Sequence, residues 1–164
     1  MTTSLVRTRE ATVDDLGAVL DLYARCSPQT LERRFHLPVV QVPESLVERL
    51  LTPRDGWSVV AEQGGEVLGH AVAGPLSPGR VEIGLLVDDA FHGTGVGSHL
   101  MRDLALGAAE RGYRAMVCLV EPDNESVLPT VRRAGLHGTT TEDDGLLQIE
   151  VPLAAQADRL RHPA

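Results

Sequence analysis

The most informative stretch of the sequence runs from Leu85 to Ser98 and reads LLVDDAFHGTGVGS. A strand-like apolar run leads into a loop with three alternate glycines, Gly93, Gly95 and Gly97, and a helical pattern follows at once. Glycine allows positive φ, so the loop can turn its backbone N–H groups toward one point, and the helix start adds unpaired N–H groups and a positive dipole end. The stretch predicts a phosphate or pyrophosphate site, the alternative being a glycine-rich turn that serves only tight packing.

Two common phosphate-binding motifs do not fit this stretch. The dinucleotide fingerprint GxGxxG would need its third glycine at Ser98 or Leu100. A P-loop needs a lysine, and all 15 Lys+Arg residues of the chain are arginines. The absence of lysine also excludes Schiff-base chemistry and a lysine general base, and it leaves the chain without a side-chain amine.

The remaining periodicity predicts one α+β domain with a mixed sheet over residues 1–154 and a C-terminal tail over residues 155–164. Caps at Thr12, Ser27 and Pro43 each predict a helix. The other predicted elements are strands at 5–9, 57–62, 67–74, 81–87 and 114–121, helices at 97–111 and 126–134, and a hairpin of strands 139–142 and 146–153.

At the glycine loop the sequence resembles the GNAT acetyltransferase superfamily. That signature is a strand ending in Val, a short loop, then Gln/Arg-x-x-Gly-x-Gly/Ala at the head of a helix. Val87 and the HGTGVG segment at 92–97 fit it, with His92 where Gln or Arg is usual. Residues 9–16, Asn124 with 133–136, and a short Ser-Pro…Arg-Phe segment at 27–35 are similar to other parts of GNAT domains, including some that acetylate proteins.

The resemblance implies a fold and a cosubstrate. The fold is a mostly antiparallel sheet of six to seven strands with splayed central strands and about four helices. Acetyl-CoA, or another acyl-CoA, would bind between the strands that end near Val87 and Glu121, and a backbone N–H near Leu86 would polarise the thioester carbonyl. The implied cofactor-binding residues are Leu85, Leu86, Val87, His92, Gly93, Thr94, Gly95, Val96, Gly97, Ser98 and Asn124.

The resemblance further implies direct transfer of the acetyl group to an amine, assisted by a general base. Glu82 is the first candidate base, because strand alternation places it opposite the apolar residues of its strand, and Glu121 is the second. Each has the alternative of a solvated carboxylate on a sheet face. Val131 stands where the family often has a Tyr that protonates the thiolate. Either the thiolate leaves without full protonation, or the chain is a poor enzyme or a non-catalytic acyl-CoA-binding or regulatory domain.

The acceptor is expected to bind at residues 27–54 and at the hairpin around Asp143. A net charge of −8 weakly favours a cationic acceptor, such as a polyamine, an aminoglycoside-like amine, an amino acid or a protein lysine, and argues against nucleic acid. A homodimer through the C-terminal strands is suggested by analogy with the family alone.

Three further expectations concern the environment of the chain. No run approaches the roughly 20 apolar residues of a membrane span. Cys26 and Cys118 lack any paired spacing, which suggests reduced thiols in a cytoplasmic protein. The histidines, His70 and His99 among them, show no metal-ligand spacing, so no metal site is predicted.

Overall fold

A computed structural model describes residues 5–162 of the chain. Its strands are β1 (Arg7–Glu10), β2 (Trp57–Gln63), β3 (Glu66–Ser77), β4 (Arg80–Val87), β5 (Ala115–Val120), β6 (Thr139–Asp143) and β7 (Leu146–Pro152). Its α-helices are α1 (Leu16–Arg25), α2 (Pro28–Phe35), α3 (Glu44–Leu51), α4 (Val96–Glu110), α5 (Val127–Arg133) and α6 (Ala157–Arg161), with 3₁₀ turns at Val13–Asp15 and Asp89–Phe91.

The seven strands form one sheet in the order β1-β2-β3-β4-β5-β7-β6, antiparallel except for the β4–β5 pair. The predicted α+β class and the mostly antiparallel sheet are confirmed. Within residues 5–162 there are six α-helices rather than about four, because several short helices lie beside the long α4. None of the helices in that range combines the length and apolarity that crossing a bilayer requires.

The predicted capping box at Thr12 fixes the 3₁₀ turn Val13–Asp15, which leads directly into α1. The Asp15 carboxylate accepts the Thr12 N–H at 2.8 Å and two guanidinium N–H groups of Arg9 at 2.9 and 2.7 Å. Since Arg9 belongs to β1, the same carboxylate caps this turn and ties the start of α1 to the edge of the sheet.

Helices cover both faces of the sheet, and β4 alternates between two cores. Val81 and Ile83 pack in the core that contains Leu100 of α4. Leu86 packs in the opposite core with α1 and α3, through residues such as Leu22. The even-numbered residues of β4 therefore face α1–α3, which is the face predicted for Glu82.

Residues 155–162, which lie in the predicted C-terminal tail, pack onto the domain. Leu160 of α6 is only 3% exposed, and its carbonyl accepts a hydrogen bond from Arg102 of α4. The buried side chain of Gln156 bonds the backbone of His137 in both directions, at 2.7 and 3.1 Å. Residues 155–162 thus close one end of the core beside α4.

The two parallel strands separate partway along their length. β4 pairs with β5 only from Arg80–Ala115 to Ile83–Cys118. Both strands continue, β4 to Val87 and β5 to Val120, without pairing to each other. The expected splay of the central strands is confirmed, and it opens the sheet at its centre.

Candidate functional site

A cavity of about 580 Å³ opens where β4 and β5 diverge. It lies between the end of β4, the glycine loop, the starts of α4 and α5, and the C-terminal half of α2. Most of the residues that the sequence nominates meet there. They are Glu82, Leu85, Leu86, Val87, His92, Gly93, Gly95, Gly97, Ser98 and Asn124.

Three nominated residues do not line the cavity. Thr94 turns back into its own loop, where its hydroxyl donates to the Phe91 carbonyl at 2.6 Å. Val96 is 1% exposed and packs into the core beneath the loop. Glu121 lies just outside, with its carboxylate 3.9 Å from Nδ1 of His36, which does line the cavity.

The register of β4 decides which backbone groups face the opening. The Asp88 N–H donates to the carbonyl of Leu68, its partner across the β3–β4 pair, at 2.9 Å. Antiparallel strands bond through alternate residues, so Leu86 exchanges its backbone hydrogen bonds with His70 of β3. The backbone of Leu86 is therefore bonded within the sheet, and the backbone groups near Leu86 that face the opening belong to its neighbours.

Leu85 and Val87 instead turn their backbone groups toward β5, beyond the last paired residues. His92 lies where the resembled signature has Gln or Arg, and its Nε2–H donates to the Val87 carbonyl at 2.9 Å. This bond ties the glycine loop to the end of β4. It leaves the Val87 N–H and both backbone groups of Leu85 pointing into the opening.

The glycine loop has the geometry of an anion site. Gly93 and Gly95 have φ of 74° and 97°, and a Cβ added at either would meet nothing, so backbone conformation alone requires glycine. The first hydrogen bond of α4 runs from the His99 N–H to the Gly95 carbonyl. The N–H groups ahead of His99 in the first turn therefore have no helical partner and lie at the positive end of α4.

Gly97 has a different reason to be glycine. It lies within α4, and a Cβ there would be 3.3 Å from Cγ2 of Thr130 on α5. The missing side chain lets the first turn of α4 lie close to α5, and Ser98 reinforces that contact by donating to the Thr130 carbonyl at 3.1 Å.

Asn124 is held in the loop that precedes α5, as predicted. Its N–H donates to the Glu121 carbonyl at 2.9 Å, and its Oδ1 accepts the Ser126 hydroxyl at 2.8 Å. Ser126 occupies the predicted N-cap position but uses its hydroxyl on Asn124 rather than on the helix. Pro129 falls in the first turn, where no intrahelical N–H is needed.

The sequence missed the individual residues that α2 contributes. Arg33, Arg34 and Phe35 of α2, and His36 directly after it, line the cavity. The Arg34 guanidinium lies against Gly84 of β4, so that a Cβ on Gly84 would come within 2.7 Å of Nη1. The signal was present as a glycine inside an apolar strand and an Arg-Arg-Phe run ending α2, within the region expected to bind the acceptor. The hairpin around Asp143, expected to share that role, does not line the cavity.

The charge of the cavity differs from that of the whole chain. Its lining includes the guanidinium groups of Arg33, Arg34 and Arg133 and the single carboxylate of Glu82. A chain with a net charge of −8 thus presents a locally cationic cavity.

The cysteine in the cavity wall is not an activated nucleophile. Burial, with the Glu82 carboxylate as a second cause, raises the pKa of Cys118 to about 12. The thiol therefore stays protonated near neutral pH, whereas a nucleophilic cysteine needs a lowered pKa. In the part of the chain that the structure describes, no three His, Cys, Asp or Glu side chains are grouped to hold a metal ion.

The family is shown by a sequence comparison. The model of the Acetyltransferase (GNAT) family matches residues 17–136, well over half of the chain. The chain belongs to this family. No curated protein sequence gives a significant match.

Solved structures give the same fold. The GNAT domain of S. lividans PAT is 28% identical, with a TM-score of 0.81 and 90% of both chains covered. YncA, a putative acetyltransferase from Salmonella typhimurium solved with its cofactor acetyl-CoA, is 22% identical over 97% of this chain and 96% of that one, with a TM-score of 0.68. AAC(6')-Ib, solved with paromomycin and acetyl-CoA, is 20% identical over 97% and 99% of the two chains, with a TM-score of 0.72.

Proposed function

We propose that this chain is an acetyl-CoA-dependent N-acetyltransferase that transfers the acetyl group directly to an amine. The observation that carries the proposal is the splay of β4 from β5, which exposes backbone groups of Leu85 and Val87 beside the N–H groups of the glycine loop. Membership of the acetyltransferase family supports the same reaction. Bound acetyl-CoA would supply an activated acetyl thioester.

The residues present fit the pantetheine and pyrophosphate parts of such a cosubstrate. Leu85 and Val87 offer the donors and acceptor that pantetheine amides need, in the manner of an added strand. The N–H groups of the glycine loop offer a site for the pyrophosphate, and Arg133 adds a positive charge to the same cavity. Asn124, with its Oδ1 already bonded to Ser126, keeps its amide N–H groups for a pantetheine carbonyl.

Glu82 is the proposed general base. It lines the cavity on the face of β4 that looks toward α2, and no hydrogen bond or ion pair within residues 5–162 occupies its carboxylate. A free carboxylate beside the acceptor can take the proton that the amine loses as it attacks. The protonated Cys118 thiol next to it agrees with direct transfer rather than a covalent enzyme intermediate.

A second candidate function is non-catalytic binding of acyl-CoA. Val131 occupies the family's tyrosine position and is 1% exposed in the core, and neither Tyr23 nor Tyr113 lines the cavity. No tyrosine can therefore protonate the departing thiolate. A thiol with an ordinary pKa of about 8.5 can leave as the thiolate and take its proton from water, so we prefer the enzyme.

Two measurements separate these candidates. Calorimetric titration with CoA tests the binding site, and thiol release from acetyl-CoA across a panel of amines tests turnover. Micromolar CoA binding together with acceptor-dependent thiol release is expected. CoA binding without turnover on any amine would establish the binding module, and no CoA binding would overturn both candidates.

A further inference from the structure

We propose that α2 forms the acceptor subsite and that Arg34 binds a carboxylate carried by the acceptor, a few bonds from the reacting amine. This inference rests on the proposed acetyltransferase function and specifies its substrate class. It also reverses the preference for a cationic acceptor that the net charge of the chain suggested.

Arg34 has the contacts of a ligand-binding arginine. Its Nε is shut off from solvent and has no hydrogen-bond partner, although buried polar atoms are normally satisfied. Its guanidinium lies on Gly84 in the cavity wall and 5.1 Å from the centre of the Phe35 ring. None of the ion pairs formed within residues 5–162 includes Arg34, so no carboxylate of the described residues neutralises its charge.

The side chains behind Arg34 supply no counter-charge. Tyr23 packs 6.1 Å from the Phe35 ring, and its hydroxyl lies 3.0 Å from Nδ1 of the buried His70. Burial raises the pKa of Tyr23 more than the charge and hydrogen bond of the neighbouring Arg34 lower it, so the phenol beside Arg34 stays neutral. Arg34 thus presents its charge to the cavity against a neutral wall, where an anion is bound most strongly.

The position of Arg34 fits the acceptor rather than the cosubstrate. Gly84 lies two residues from Glu82 on the same face of β4, about 7 Å away at the usual strand rise. An acceptor with its amine at Glu82 can therefore reach Arg34 with a nearby carboxylate. The phosphate-binding N–H groups lie at the other side of the cavity, beyond Val87.

Matched acceptors test the proposal. An amino acid is compared with its amide, and an N-acetylated Glu-Lys peptide with its Gln-Lys counterpart. The first pair tests a free amino acid, and the second tests a carboxylate beside a peptide lysine. For at least one pair, kcat/KM should be about 10-fold to 100-fold higher for the acid, as expected for charge-assisted hydrogen bonds.

Variants assign the preference to Arg34. Arg34→Gln should reduce the acid-to-amide ratio to about 1 with unchanged CoA affinity, and Arg34→Lys should keep part of the ratio because it keeps the charge. Arg49→Gln, a matched change at an exposed arginine of α3 outside the cavity, should leave the ratio unchanged. Circular dichroism of each variant verifies its fold.

The outcomes distinguish the two proposals. If amides and acids are acetylated equally well, the carboxylate site is overturned while the acetyltransferase stands. If CoA binds but no amine is acetylated, the acetyltransferase proposal is overturned. The carboxylate site is then decided by titrating an N-acetylamino acid into CoA-loaded protein. Binding that Arg34→Gln abolishes would support it, and no binding would overturn it.

Discussion

At the scale of single residues, two carboxylates near the splay have different surroundings. Glu82 lies in the cavity wall, and none of the described residues bonds its carboxylate, whereas Glu121 lies outside the cavity beside His36. Glu82→Gln should therefore lower kcat/KM by about 10²-fold to 10⁴-fold, the usual contribution of a general base, with unchanged CoA affinity. Glu121→Gln is the matched control and should keep most of the activity. Thiol release across pH 6 to 9 checks this, and full activity of Glu82→Gln near neutral pH would assign the base elsewhere.

The glycine at position 95 is needed for its backbone alone. Its φ of 97° costs a non-glycine residue about 1–2 kcal/mol, although the space around it is open. The Gly95→Ala variant must either keep this strained backbone conformation or relax it by rotating N–H groups of the glycine loop away from the proposed pyrophosphate position. We expect the CoA dissociation constant to rise about 10-fold by calorimetry, a change of about 1.4 kcal/mol.

The control for Gly95→Ala is Gly17→Ala. Gly17 lies in α1 with ordinary φ and no atom within 4 Å of an added Cβ. This variant should leave CoA affinity unchanged and raise the free energy of unfolding by about 0.5–1 kcal/mol, because alanine favours a helix. Unaltered CoA binding by Gly95→Ala would show that the loop N–H groups do not hold the cosubstrate.

At the scale of elements, the features set by residues close together in the sequence were predicted better than the features set by strand pairing and tertiary packing. The glycine loop, the α1 cap and the hairpin signals depend on neighbours a few residues apart, and the structure has all of them. Which backbone groups of β4 face the opening depends instead on its register with β3, which no local pattern encodes. The position of the Arg34 side chain in the cavity likewise depends on how α2 packs across β4. The helix α6 is too short to be stable alone and is held by tertiary contacts, so its own residues could not predict it.

The cap of α1 yields an element-scale prediction with a defined pH dependence. Hydrogen bonds from Arg9 hold the pKa of Asp15 below its usual value. A carboxylate with a depressed pKa stabilises the fold above its unfolded pKa of about 4, and this contribution is lost as pH falls through the folded pKa. Asp15→Asn should therefore lower the free energy of unfolding at pH 7 by about 1–3 kcal/mol.

Urea titrations at pH 7 and below pH 4 check this prediction. The difference between wild type and Asp15→Asn should shrink as the wild-type carboxyl is protonated. Asp14→Asn is the neighbouring control, because the Asp14 side chain is exposed and makes no bond in the cap. An equal loss in both variants would show that general charge near the helix start, rather than the Arg9–Asp15–Thr12 contact, stabilises α1.

At the scale of the whole molecule, the absence of lysine makes direct transfer testable. Incubation with acetyl-CoA alone can acetylate no side-chain amine, because the chain has no lysine. The intact mass spectrum therefore shows no added mass from acetylated lysines of the chain itself. We expect no acetyl group on any side chain, because the Cys118 thiol is buried and protonated. An acetyl group mapped to Cys118 would contradict direct transfer. In reactions with a protein acceptor, every acetyl-lysine must belong to the acceptor.

The stability of the molecule as a whole should depend on pH through one buried histidine. Burial, helped by the Arg34 charge, lowers the pKa of His70 to about 3. Between that value and the unfolded pKa of about 6.5, the unfolded chain binds a proton that the folded protein does not. The free energy of unfolding should therefore fall as pH falls through this window, by about 1.4 kcal/mol per pH unit.

Urea titrations between pH 4.5 and 6.5 isolate this effect, because the depressed carboxyl pKa values of Asp15 and Asp89 act at lower pH. His70→Gln should remove most of the slope whatever its absolute stability, since glutamine does not titrate. His99→Gln should keep the slope, because His99 is exposed on α4. A slope that survives in His70→Gln would come from other groups and would contradict this assignment. A wild-type protein without the slope would mean that His70 is protonated in the folded protein. The wall behind Arg34 would then carry a positive charge of its own, and the cavity would be still more selective for anions at low pH.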